Sequence, residues 1–202
     1  MQTKAVFYRV RDMLKRRERH VARIALGSAF EGWLNAEIGR EMRWGEPNKN
    51  RWGGDEYVVP ESQKRDLVVF RDDGTASHVI EVKLVYPWSE RKMLVPLKRL
   101  YEQISRKAYN DETTKTRYVG FIFGVWISPF HSRFADRKSL ANAYGFYQRL
   151  TSQVRAVFDE EDYTFQHRSW RRAVDCDVTL NGEKFHVEVG MLHMTRRPQS
   201  NS

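Results

Sequence analysis

Apolar and polar positions along this chain switch between two periods, and each switch marks an element. Between Val21 and Ile38, Leu26, Phe30, Trp33, Leu34 and Ile38 recur three or four apart. That is the stripe of an amphipathic helix, with Gly39 as its expected stop. Tyr57 to Pro60 reads as a short strand and Lys64 to Phe70 as a second. Arg71-Asp72-Asp73-Gly74-Thr75 is a hairpin connection, and His78 to Tyr86 a third strand. Leu94, Leu97, Leu100, Tyr101, Ile104 and Ala108 predict a helix over 94–109. Tyr118 to Ile127 predicts a buried strand that Pro129 ends, and the apolar positions from Leu140 to Val157 predict a helix over 138–158. The last pattern is a hairpin, Val174 to Leu180 and Lys184 to Leu192, turning at Asn181-Gly182. The order is helix, three strands, helix, strand, helix and hairpin, a mixed α/β arrangement.

The third strand breaks its own pattern. Val79, Ile80, Val82, Leu84 and Val85 are the run of a strand covered on both faces. Glu81 and Lys83 are set into that run. Side chains alternate along a strand, so the acid and the base share one face. An unpaired ion in such a place costs several kcal/mol. A wet edge strand would tolerate both charges, but the Val and Ile around them, uninterrupted by Gly or Pro, favour a face that requires them.

Net charge narrows the partner. Lys and Arg outnumber Asp and Glu by 35 to 26, a net charge of +9, which favours a polyanion, nucleic acid before acidic membrane. The densest basic run is Arg9, Arg11, Lys15, Arg16, Arg17, Arg19, His20 and Arg23. It fits a solvated helix face and an arm laid on phosphates equally well. In the loop from Arg43 to Glu56, Trp44 and Trp52 stand among Arg43, Lys49 and Arg51. They suit either base stacking or two aromatic anchors. Cys176, the single cysteine, excludes an internal disulfide and a multi-cysteine metal site. With no signal peptide and no apolar run near the ~20 residues of a membrane span, a cytoplasmic protein of bacterial, archaeal or phage type is expected.

Asp66 enters the second strand. After fourteen intervening residues come Glu81-Val82-Lys83 in the third. This spacing, in its helix-strand-strand-strand-helix-strand context, resembles the PD-(D/E)XK nuclease superfamily of restriction enzymes and resolvases. Gly27 to Leu34, closing at Ile38-Gly39, is similar to the leading helix of the resolvase and restriction branch. By that match Glu31, rather than Glu37, joins the site. Gln103, followed six residues on by Tyr109, is similar to the polar residue that some exonuclease branches place behind the triplet. The likeness covers about the middle half of the chain and rests on a short motif. Arg65 stands where the family name has proline.

The resemblance implies a restriction-endonuclease-like core, a central mixed β-sheet flanked by helices, extended by a C-terminal helix and β-hairpin. One domain over 1–194 would comprise a basic N-terminal helix (1–23), the core (24–128) and the C-terminal part (138–194), with 195–202 a flexible tail. It also implies Mg2+, with Mn2+ able to substitute, held by Asp66, Glu81, the Val82 carbonyl and, through water, Glu31. Lys83 would orient the attacking water, and the substrate would be DNA in preference to RNA. Oxygen donors suit magnesium, and phosphodiester hydrolysis needs such a cation. Cutting both strands with one site per chain would favour a homodimer. The rival is a catalytically inactive module of the same fold that binds nucleic acid or a protein. Asp175, Asp177, His186 and Glu188 offer transition-metal ligands in the last hairpin, but their alternation with Val174, Cys176 and Val178 is that of any half-exposed strand. His131 and His167 lack ligand spacing, and no nucleophile motif or phosphate-binding glycine loop is present.

Overall fold

Seven strands form one mixed sheet, and the helices cover both of its faces in this computed structural model. It describes residues 3–27, 30–44, 57–60, 66–71, 73–87, 90–109, 116–129, 142–158, 163–165 and 170–196. The helices are α1 (Thr3–Arg16), α2 (Glu18–Ala25), α3 (Phe30–Trp44), α4 (Glu90–Tyr109) and α5 (Ala143–Val157). The strands are β1 (Tyr57–Pro60), β2 (Leu67–Phe70), β3 (Ala76–Val85), β4 (Arg117–Ser128), β5 (Tyr163–Phe165), β6 (Arg171–Leu180) and β7 (Glu183–Arg196). The loop after Trp44, together with His131 and His167, lies outside the described residues.

β1, β2 and β3 form an antiparallel meander, with Leu67 opposite Ile80. β3 and β4 run parallel, Glu81 opposite Gly120 and Lys83 opposite Ile122. A parallel neighbour cannot be reached by a tight turn, and α4 provides the crossover. β7 then pairs antiparallel with β4 along ten residues, Val119 to Ser128. The other edge of β7 is shared by β6 and, further along, by β5. The C-terminal hairpin is therefore no appendage, since its second strand lies inside the sheet. Its turn is as expected: Asn181 (φ 51°) and Gly182 (φ 82°) take the left-handed conformations of a two-residue hairpin.

Strand alternation sends each face to a different core. Ile80, Val82 and Leu84 of β3 pack with Phe7, Leu14, Phe30, Leu34 and Ile38 of the first three helices. Val79 and Val85 pack with Leu97, Leu100 and Ile104 of α4 and Phe146 and Leu150 of α5. Glu81 and Lys83 share the parity of Val79 and Val85, so they face the α4 side.

Three expectations change. The helix read over Val21 to Ile38 is two helices, with Gly27 in the break between them. Leu26 and Phe30 kept helical spacing across that break because both helices rest on the same core. Gly39 does not end α3, which continues to Trp44 with Gly39 buried in its interior. The roughly 1 kcal/mol helix penalty of glycine is outweighed there by burial of Ile38 and Met42. The basic run is likewise not a free arm, since α1 and α2 bury Val10, Met13, Leu14, Val21 and Ala22 and leave Lys15, Arg16, Arg19 and Arg23 exposed. No helix among the described residues is long and apolar enough to cross a membrane.

Gly124 of β4 and Gly190 of β7 are register partners beneath the Tyr147 ring. A Cβ at Gly190 would lie 2.7 Å from Tyr147 Cε1. That ring cannot yield readily, because its hydroxyl donates to the Gly124 carbonyl at 3.0 Å and Phe146 and Trp170 pack against it. Gly190→Ala is expected to lower unfolding free energy by about 1–3 kcal/mol, read as a reduced urea midpoint at unchanged slope.

Candidate functional site

The end of β3 gathers charge because β2 starts two residues too late to satisfy it. The Val82 N–H has no strand partner in β2. The Asp66 side chain, just ahead of Leu67, takes that place, and its Oδ2 accepts from Val82 N at 2.7 Å. Lys83 Nζ donates to the Val82 carbonyl at 2.9 Å and lies 3.3 Å from Asp66 Oδ2. It also stands 4.0 Å from Glu31 Oε1, in the first turn of α3. Lys83 and Asp66 are mostly buried, with side chains 13% and 21% exposed, while Glu31 is half open at 50%. Charges this sheltered interact more strongly than surface pairs.

Glu31 feels this crowding. Burial raises its pKa and Asp66 adds to the rise, while Lys83 and Arg99 oppose it. Tyr86, at the end of β3, is pushed up to about 12 by burial and by the Glu31 charge. Glu37 is engaged elsewhere: its Oε2 accepts from Arg17 at 3.1 Å and from Arg40 Nε at 3.0 Å. Of Glu31 and Glu37, Glu31 is the one beside Lys83.

Glu81 is wholly buried. It shares a strand face with Lys83 but does not line the cleft that opens there. That cleft, about 440 Å3, runs between the end of β3 and one flank of α4. Its polar walls are Glu31, Lys83, Arg99, Glu102 and Gln103, and Leu84, Val95 and Pro96 supply apolar surface. The Oε1 of Gln103 is shielded from solvent with no hydrogen-bond partner among the described residues. Nothing is described of the Tyr109 side chain, although Tyr109 ends α4. Asp66, Val82 and Lys83 are thus in mutual contact, Glu31 stands beside Lys83, and Gln103 faces the same cleft. Arg99 was not singled out from the sequence. The signal that could have found it is its position four residues before Gln103, on the same helix flank.

The donor set fits a hard divalent cation. Asp66 Oδ2 and the Val82 carbonyl already converge on one positive point, the Lys83 ammonium. Carboxylate and carbonyl oxygens are the ligands magnesium takes.

The hairpin acids do meet. Among the described residues, ligand atoms of Asp175, His186 and Glu188 lie within 4.8 Å of one another. The network is closed by its own charges. His186 pairs with Asp177 at 2.8 Å, Asp175 at 3.3 Å and Glu188 at 3.5 Å, and Arg172 pairs with both Asp175 and Glu188. Burial pulls the His186 pKa down, but the hydrogen bond to Asp177 and the charges of Glu188, Asp175 and Asp177 outweigh it, so the net shift is upward.

Two outcomes are expected. Asp66→Ala strips the Val82 N–H of its acceptor, whereas Asp66→Asn keeps an oxygen there. Alanine should cost about 1–3 kcal/mol and asparagine less, measured by urea unfolding. A raised imidazole pKa means that the His186 contribution is full below its ordinary pKa of 6.5 and is lost as pH rises through the folded value. The melting temperature should therefore fall as pH rises above 6.5, and His186→Gln should flatten that fall. An unchanged slope in the variant would refute the assignment.

No protein-family model, no curated protein and no solved structure matches this chain.

Proposed function

We propose that this protein is a metal-dependent nuclease that hydrolyses DNA phosphodiester bonds by direct attack of water, with Mg2+ as cofactor. The observation that carries the reading is the meeting of Asp66, Lys83 and the Val82 carbonyl, with Glu31 at their side. The order α3-β1-β2-β3-α4-β4, with β3 and β4 parallel, supports a restriction-endonuclease-like core of the PD-(D/E)XK kind.

Asp66, Glu81 and the Val82 carbonyl would hold the cation, and Glu31 would reach it through water. Bound magnesium supplies positive charge that polarises the phosphate and acidifies a water. Lys83 is held at the cleft floor by Val82 and Asp66, where its Nζ can hold the attacking water and offset charge developing on the phosphate oxygens. Gln103 Oε1 is an acceptor in want of a donor on the facing wall, which suits a role in orienting the same water. Exposed Lys15, Arg16, Arg19 and Arg23 on α1 and α2 support a polyanionic partner. DNA rather than RNA, a homodimer for double-strand cutting and a cytoplasmic setting remain part of the proposal.

One observation favours the inactive binding module instead: the Glu81 carboxylate is fully enclosed and away from the cleft lining. Incubating supercoiled, linear and single-stranded DNA with the protein, with and without Mg2+, separates the two. The nuclease reading expects magnesium-dependent products that vanish in Asp66→Ala, Glu81→Ala and Lys83→Ala while each variant keeps its fold by circular dichroism. DNA binding without product and without a divalent-ion effect would establish the module.

A further inference from the structure

The α4 wall of the cleft holds a cation that the chemistry proposed above does not use. Positions 95, 99, 102 and 103 form one flank of α4 and line the cleft, while Met93, Leu97, Leu100 and Ile104 turn to the core. Among the described residues, Lys83 and Arg99 are the cations that line the cleft. Lys83 is committed to the Val82 carbonyl and Asp66. Arg99 is exposed and makes no hydrogen bond or ion pair among the described residues, Glu102 included. Its five N–H donors are unbonded among the described residues, and a planar guanidinium offers them in the fork that suits two oxygens of one phosphate. The unlike charges beside it do not saturate it: Glu31 is felt only through space, and Glu31 has Lys83 at 4.0 Å.

We infer that Arg99 is a phosphate-binding residue. It would grip a backbone phosphate of one DNA strand lying in the cleft, next to the phosphate that meets Lys83. This rests on the nuclease reading for the identity of the strand, but not on cleavage. A volume of about 440 Å3 is that of a small-ligand cleft, so a single strand's backbone enters it and a whole duplex does not. Glu102 on the rim repels phosphate and confines the strand to the Arg99 side. A guanidinium on the rigid helix above the floor fixes the register of the strand and carries no sequence preference.

The test is binding of a fluorescein-labelled single-stranded oligothymidine to the full chain without divalent ions, by anisotropy, over a series of salt concentrations. Arg99→Gln should weaken binding about tenfold and lower the slope of log affinity against log salt by about 0.7, the loss of one phosphate contact. Arg99→Lys should restore the slope and only part of the affinity. Lys98→Gln, an exposed neighbour outside the cleft lining, should leave binding nearly unchanged. If Arg99 served only to offset the Glu31 charge, Arg99→Gln would shift a pH profile but leave the salt slope intact. That outcome overturns the proposal, as does an equal effect of Lys98→Gln or a wild-type chain that does not bind the oligonucleotide. Loss of binding in Arg99→Gln together with a blank magnesium assay would remove the nuclease reading and keep Arg99 as a strand contact.

Discussion

A single hydrogen bond organises this end of the molecule, from the Val82 N–H to Asp66 Oδ2 at 2.7 Å. A strand amide in the middle of a sheet has to be satisfied, and leaving one unmet in the interior costs about as much as a lost hydrogen bond. β2 begins at Leu67, too late to offer a carbonyl there, so the aspartate closes the ladder. In doing so it brings a carboxylate to the Val82 carbonyl, and the pair draws in the ammonium of Lys83. Local backbone satisfaction and a cation-receptive group of oxygens are the same arrangement here.

The sheet around that bond explains why the charges stay where they are. β3 is sandwiched between two cores, and its register with β4 fixes which residues turn toward α4. A slip of one residue would send Glu81 and Lys83 into the first core and turn Val82 out of it, which hydrophobic burial forbids. The parallel pairing also requires α4 to return across this face, so the crossover helix is at once a structural necessity and the second wall of the cleft. Gly120, where a Cβ would lie 3.1 Å from Ile104 and 3.3 Å from Leu100, lets that helix sit close.

The charge networks differ in kind. The hairpin acids are matched by His186 and Arg172 and form a closed set. At the cleft, Asp66 and Lys83 are sheltered, Glu31 is strained upward in pKa, and Arg99 has no bonded partner among the described residues. A set whose charges are matched internally has little to gain from a ligand, whereas an open one has acceptors and donors left to give.

Much of this was legible along the chain. Strand parity alone put Glu81 and Lys83 on one face, the turn at Gly74 made β2 and β3 a hairpin, and Asn181-Gly182 marked the last one, because period and turn chemistry are local properties. Other features were not local. The break at Gly27, the continuation of α3 past Gly39 and the place of β7 beside β4 depend on burial against partners distant in sequence. So do the choice of Glu31 over Glu37 on geometric grounds and the appearance of Arg99 in the cleft wall. Sequence determined which residues could carry charge into a strand and which faces they would share. The tertiary structure decided which of those charges meet, since only packing across helices and strands fixes separations between distant residues.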